Sequence, residues 1–245
     1  MIAKLVTHAA SREQAIDAQA AALDAFVIDG IRHNIPFLAA LMQHPRWRAG
    51  QLSTAFIAEE YPEGFQPIRP AGEAAQVLAA VASAVDLVAG ERKRRISGQL
   101  MSRPVIRERR RAVWLDDAEV CLDVLREHDA IVVRFDEAEG HAWRLRSAWK
   151  PGDAVWTGTV DAAPVSVQVH PILNGFALAW RGIQVKALVY TEREAAAARL
   201  MPVKTAADSG KMLRCPMPGL VVSIAVTEGQ EVKACLLYTS DAADE

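Results

Sequence analysis

Asp123, Asp136 and Glu137 are the carboxylates that could do acid–base work, one group keeping a proton while its neighbour accepts one. They can act as a pair only if the fold brings them together, so no acid–base pair can be nominated from spacing. His128, His141 and His170 fall in turns or on outward faces and follow no metal-ligand pattern. Cys121, Cys215 and Cys235 have neither metal nor disulfide spacing, which suits a reducing compartment. A glycine-rich phosphate loop of either standard form does not occur. The sequence thus nominates no catalytic residue, no cofactor-binding residue and no metal ligand. Trp114, Trp143, Trp149, Trp156 and Trp180 could stack on a cofactor, but so much apolar area reads first as core packing.

The stronger chemical signal is charge. Residues 91–111 set Arg92, Lys93, Arg94, Arg95, Arg103, Arg107, Arg109, Arg110 and Arg111 against only Glu91 and Glu108. That is a local charge of +7 in a chain of net charge −2, which leaves −9 on the remainder. In extended conformation Arg107, Arg109 and Arg111 point one way, and Glu108 and Arg110 the other. Burying both faces without partners is too costly, so we expect the stretch to protrude or to lie in an interface. Clustered arginines can neutralise phosphates. The acidic remainder and the lack of a recognition module argue against a nucleic-acid partner. A solvated loop and a protein-docking loop both remain open on charge alone.

The elements that position these residues are legible from periodicity. From Arg107 to Tyr190, about eight short apolar–polar runs follow one another, each closed by a turn signal. The signals are Asp116-Asp117, Glu127-His128-Asp129, Glu139-Gly140, Pro151-Gly152, Pro164, Asn174-Gly175 and Arg181-Gly182. Tight turns join antiparallel neighbours, and a meander of this size removes its edges by closing into an up-and-down barrel. Val165 to His170 alternates with period two, so one face should be buried and the other wet. Asn174-Gly175 can supply the two positive φ angles of a type I′ turn.

Upstream, residues 1–6 are strand-like, and Ser11 with Gln14 makes a capping box. A helix along Ile16, Ala20, Leu23 and Val27 should stop at Gly30. Asn34 can cap a second helix, which Pro45 ends. These elements are too few to enclose a core, so the segment should expose apolar surface and tend to self-associate. Residues 66–72 read as a linker, followed by a long helix with Ala74, Leu78, Val81, Val85 and Val88 along one stripe, closed by Gly90. Thr191 with Glu194 opens a short alanine-rich helix that ends before Pro202, and residues 203–210 have the composition of a tether. The chain is 51% apolar and 24% charged, an ordinary globular balance, and no apolar run looks long enough to span a bilayer. We expect no membrane partner and a place in the cytoplasm or, in a eukaryote, the mitochondrial matrix.

Several long strings resemble one family. Met1-Ile2-Ala3-Lys4-Leu5, Ala25 to Gly30, Asn34 to Leu38 and Phe56 to Pro62 resemble the C-terminal part and exit of a biotin carboxylase domain. Met212 to Val221 and Val226 to Val232 resemble the opening strands of a biotin carboxyl carrier domain. A long helix plus an eight-stranded antiparallel barrel between them resembles the BT domain of biotin-dependent acyl-CoA carboxylase α subunits, propionyl-CoA carboxylase in particular. The 3-methylcrotonyl-CoA carboxylase α subunit is the runner-up, and a stand-alone barrel binding a small ligand between its tryptophans is the rival from another class.

The resemblance implies an α+β chain in several parts. Residues 1–66 would be a carboxylase tail, 67–202 the BT-like domain and 203–210 a linker. Residues 211–234 would be a truncated carrier domain, and 235–245 an unrelated tail. In the family, ATP and Mg2+ or Mn2+ serve the carboxylase and a carrier lysine holds biotin. The only Lys-Met pair here, Lys211-Met212, is not that lysine, so no cofactor is expected on this chain. The carboxyltransferase β subunit is the implied partner, held by a loop between helix and barrel. The corresponding docking residues would be Arg92, Lys93, Arg94, Arg95 and Arg103.

Overall fold

The structure is a computed structural model that describes residues 3–94, 108–136 and 141–202. The expected tether, carrier strands and terminal tail lie outside the described residues. The chain is α+β, as the sequence implied. Eight strands close an antiparallel barrel in chain order. They are β1 (Arg110–Leu115), β2 (Ala118–Glu127), β3 (Ala130–Phe135) and β4 (Ala142–Ser147), then β5 (Val155–Val160), β6 (Ala163–Ile172), β7 (Gly175–Trp180) and β8 (Ile183–Tyr190). Closure comes from β8 pairing back onto β1, Val113 opposite Val189.

Tight turns set the register. Asp161 and Ala162 (φ 46° and 71°) and Arg181 and Gly182 (φ 49° and 83°) each supply the two left-handed residues of a type I′ turn. Asn174-Gly175 does not. Ile172 pairs with Gly175, so the turn is Leu173-Asn174, left-handed only at Asn174 (φ 62°). Gly175 is needed for a different reason: a Cβ there would lie 2.2 Å from the Ala187 carbonyl oxygen on β8. Ala162 is the left-handed position least suited to its residue. Ala162→Gly should stabilise the protein by about 1 kcal/mol, a rise in Tm of about 2–4 °C. Differential scanning calorimetry checks this, and an unchanged or lower Tm would count against it.

Four helices precede the long one: α1 (Arg12–Ala25), α2 (Ile35–Gln43), α3 (Pro45–Arg48) and α4 (Phe56–Glu60); α5 spans Gly72–Arg94. Two features of α5 correct the sequence reading. It runs through Gly90 to Arg94, because one glycine lowers helix stability by only about 1 kcal/mol. It is also buried all round rather than along one stripe, from Val77 to Val85 without a break. Helix α5 touches β1, β2, β4, β5, β7 and β8, so it fills the barrel lumen. Small residues make this possible: Ala79, Ala80, Ala82, Ser83 and Ala84 thin the helix, while Leu78, Val81 and Val85 interdigitate with inward residues such as Leu122, Val167 and Leu178. The Ser83 hydroxyl is satisfied within the helix, donating to the Ala79 carbonyl at 2.9 Å. By length and composition α5 is apolar enough to cross a membrane, contrary to expectation, but the barrel takes up its apolar surface.

Residues 3–6 form no strand. Ser11 caps α1 by accepting from the Gln14 amide at 3.3 Å, but α1 ends at Ala25, five residues short of Gly30. Asn34 caps α2 with its backbone carbonyl alone, and Pro45 opens α3 rather than merely ending α2. Ile16, Leu23, Ile35, Leu41, Met42 and Phe56 make a small second core. Val6 and Ile57 remain exposed at 77% and 56%. The second core is laid onto the barrel wall, α1 on β6 and α2 on β7 and β8. The residues read as a linker add a parallel bridge from Ile68 to Ile183. Helix α6 (Glu192–Arg199) opens with the full capping box of Thr191 and Glu194 and lies on β1 and β8.

Candidate functional site

Helix α5 leaves the lumen at Leu87 and ends in an exposed basic turn, Arg92, Lys93 and Arg94. Cations in a last helical turn complement the partial negative charge of that end. The exit is held in place by Glu91, whose carboxylate receives two parallel bonds from the Arg126 guanidinium of β2, both at 2.9 Å. Such bidentate pairs fix direction as well as charge. Arg92 Nη1 reaches the Pro151 carbonyl at 3.4 Å. Arg95 and Arg103, the other expected docking residues, lie outside the described residues.

Where the chain is again described, Glu108 and Arg109 are exposed and the next two arginines are not. The expectation that this stretch protrudes or lies in an interface fails for Arg110 and Arg111 of β1, because both find partners on neighbouring elements. Arg111 is 5% exposed, with Nε 3.6 Å from the Asp86 carboxylate of α5 and Nη1 donating to the Arg110 carbonyl at 2.8 Å. Arg110 is grasped by Asp136, with Glu192 Oε1 at 3.2 Å and Asp123 Oδ2 at 3.7 Å. Asp136, with help from Asp123 and Glu192, pushes the Arg110 guanidinium further towards its charged form. The fold therefore does bring Asp123 and Asp136 together, around a cation. That arrangement locks β1 to β2, the end of β3 and α6. Glu137 lies outside the described residues.

An open cleft of about 950 Å³ adjoins the α5 exit, with Lys93, Trp149, His170, Phe176, Tyr190 and Glu194 among its walls. His141 pairs with Asp161 at 2.7 Å on the exposed barrel surface, and His128 sits in the β2–β3 turn with φ 50°. Among the described residues no three His, Cys, Asp or Glu side chains converge to hold a metal ion. Burial, then Glu119, pushes the Cys121 thiol up, away from nucleophilic use. The tryptophans pack as read: Trp143, Trp156 and Trp180 lie in the core, Trp149 leans on it, and Trp114 meets Tyr190 edge-on at 5.5 Å.

Sequence reasoning missed Glu91–Arg126 and Asp86–Arg111. Glu91 and Arg126 lie 35 residues apart, and no local pattern marks either pair. The arrangement can present a basic segment from a rigid base; the groups it gathers are paired for structure.

The fold defines a barrel built around a buried helix, with a charged exit braced by the Glu91–Arg126 pair. Residues 78–204 match the family profile of the propionyl-coenzyme A carboxylase BT domain, and residues 1–59 that of the biotin carboxylase C-terminal domain. The chain is 43% identical to a propionyl-CoA carboxylase alpha chain of Ruegeria pomeroyi, over 95% of this chain and 34% of that protein. It is 31% identical to the mitochondrial propionyl-CoA carboxylase alpha chain of Rattus norvegicus, over 95% of this chain and 33% of that one. A biotin carboxylase of Halalkalibacterium halodurans is 42% identical over 57 residues, 23% of this chain and 13% of that protein. The chain spans about a third of the length of the first two relatives. It belongs to the propionyl-coenzyme A carboxylase BT domain family.

Proposed function

We propose that this chain is a section of the α subunit of a propionyl-CoA carboxylase and that it docks the carboxyltransferase β subunit. The whole enzyme would carboxylate propionyl-CoA from bicarbonate, with ATP hydrolysis and carboxybiotin as carrier. In this reading residues 1–66 are the carboxylase tail, 67–202 the BT domain and 211–234 the start of the carrier. The relatives named are bacterial and mitochondrial, which supports a cytoplasmic or matrix setting. The contribution of the described residues is mechanical: they fill the barrel, brace the α5 exit and present charge.

The observation that carries the docking role is the basic turn Arg92–Arg94 held by the Glu91–Arg126 pair at the end of a lumen-filling helix. A lumen filled by α5 also leaves no room for the rival ligand-binding barrel. Charge-bearing docking segments raise association rates and suppress wrong partners. Reversing Arg92, Lys93 and Arg94 to Glu should weaken binding of the carboxyltransferase subunit at least tenfold, measured by surface plasmon resonance, while the barrel still melts in one transition, lowered by several degrees because three anions replace cations at the C-terminal end of α5. Affinity within twofold of the parent chain would remove these residues from the docking segment.

A further inference from the structure

We propose that Gln168, Asp24 and Gly182 form a positioning joint that fixes the N-terminal helices on the barrel wall, so that carboxylase tail and docking barrel move as one body. This rests on the assignment of those two parts made above.

The last carbonyls of a helix lack partners within it. Helix α1 stops at Ala25 with Phe26 extended (φ −89°, ψ 99°), and the carbonyls of Leu23, Asp24 and Phe26 turn to the barrel, that of Leu23 also accepting from the Phe26 amide at 3.3 Å. Gln168 on β6 is 8% exposed, although its place in the alternation had put it on the wet face. Its Nε2 lies 3.4, 3.2 and 3.3 Å from the carbonyl oxygens of Leu23, Asp24 and Phe26. Three acceptors around one nitrogen fix the amide's orientation, since the flipped form would set oxygen against oxygen. One bond system thus ties the end of α1 to a strand about 145 residues away.

Asp24 supplies the second tie. Its Oδ1 accepts from the Arg181 amide at 2.8 Å, in the β7–β8 turn. The Arg181 guanidinium lies 4.4 Å over the Trp180 ring, which braces that turn. Gly182, next in the turn, lies so close to α2 that a Cβ would come within 2.8 Å of the Pro36 carbonyl and the Ala40 amide. Two hydrogen-bonded ties and one close approach, from two adjacent helices, converge on β6 and the β7–β8 turn.

The second tie contains a group that titrates. Burial pushes the Asp24 carboxyl up to about 6, partly offset by the Arg181 amide and charge. The other groups facing this region are His33 in the α1–α2 connection, and Asp17 on α1 with Arg48 on α3, which pair at 2.7 Å. A carboxyl whose folded pKa is raised binds its proton more tightly when docked. Its contribution is therefore present below about pH 4 and lost as pH rises through about 6.

Amide hydrogen exchange of the 245-residue chain tests the joint, with intrinsic rates corrected and segment 20–28 followed. Gln168→Leu should speed exchange there at least tenfold and leave β2 to β4 unchanged. Unchanged exchange, or an equal rise throughout the barrel, would overturn the joint. Parent chain should open segment 20–28 at least tenfold more at pH 7 than at pH 4.5, and Asp24→Asn should abolish that difference. A flat parent profile, or one that persists in Asp24→Asn, also overturns it. Neither measurement uses the carboxyltransferase, so failure of the joint leaves docking standing, and lost docking leaves the joint standing.

Discussion

Gly182→Ala should destabilise the protein by about 2–5 kcal/mol, adding the strain of a left-handed alanine to the displacement of α2. The added Cβ would meet the Ala40 amide and the Pro36 carbonyl at 2.8 Å and the Ala40 Cβ at 2.9 Å. Two of these are backbone atoms, which have no rotamer to retreat into. Either the turn gives up its geometry or α2 lifts from β7 and β8. Gly30 provides the control, with nearly the same φ (+81° against +83°) and nothing within 4 Å of its Cβ position. Gly30→Ala should therefore cost only the conformational part, about 1–2 kcal/mol. For a unit of this size the Tm should fall by about 4–20 °C in Gly182→Ala and about 2–8 °C in Gly30→Ala. Equal losses in a parallel thermal melt would mean that the packing of α2 on the turn contributes nothing measurable.

Val81→Asp should abolish cooperative unfolding. Val81 is 0% exposed at the middle of α5, within the barrel. A carboxylate there is either charged in an apolar lumen or protonated at a raised pKa, and each route costs several kcal/mol against a total stability of about 5–15 kcal/mol. The effect exceeds that of an ordinary core charge because α5 is the filling shared by six strands. Val81→Ala removes volume without adding charge and should cost about 2 kcal/mol while leaving one sharp transition. Near-ultraviolet circular dichroism and the emission of buried Trp156 and Trp180 give the readout. A sharp melt in Val81→Asp at the parent's temperature would show that the helix does not fill the barrel.

How much of this was legible beforehand follows from the range of each interaction. Period-two alternation is local, so the strands and the antiparallel order of the barrel could be read from residues 107–190. Capping is local too: Thr191 and Glu194 make the box as read, and Ser11 supplies its own half of the one read with Gln14. Local signals misled where a distant atom competes for the same group. Helix α1 stops at Ala25, where Gln168, far along the chain, bonds carbonyls of its last turn, and no residue near Ala25 announces that contact. Asn174-Gly175 looks like a turn pair, yet the glycine is required by Ala187 on the neighbouring strand. The charge of residues 91–111 was visible from composition. Its division was not, since Arg110 and Arg111 are claimed by Asp136 and Asp86, which only the closed barrel brings near.

The sequence by itself determined a barrel-forming meander, a long apolar helix, a basic stretch between them and, by resemblance, the family. Only the tertiary structure decided that the helix goes inside the barrel, which arginines are spent on internal pairs, and where the N-terminal helices dock. The physical reason is that periodicity and capping act within a few residues, and the sequence carries them directly. Lumen filling, buried charge pairing and close backbone approach depend on atoms brought together by closure, and exist only once β8 has met β1.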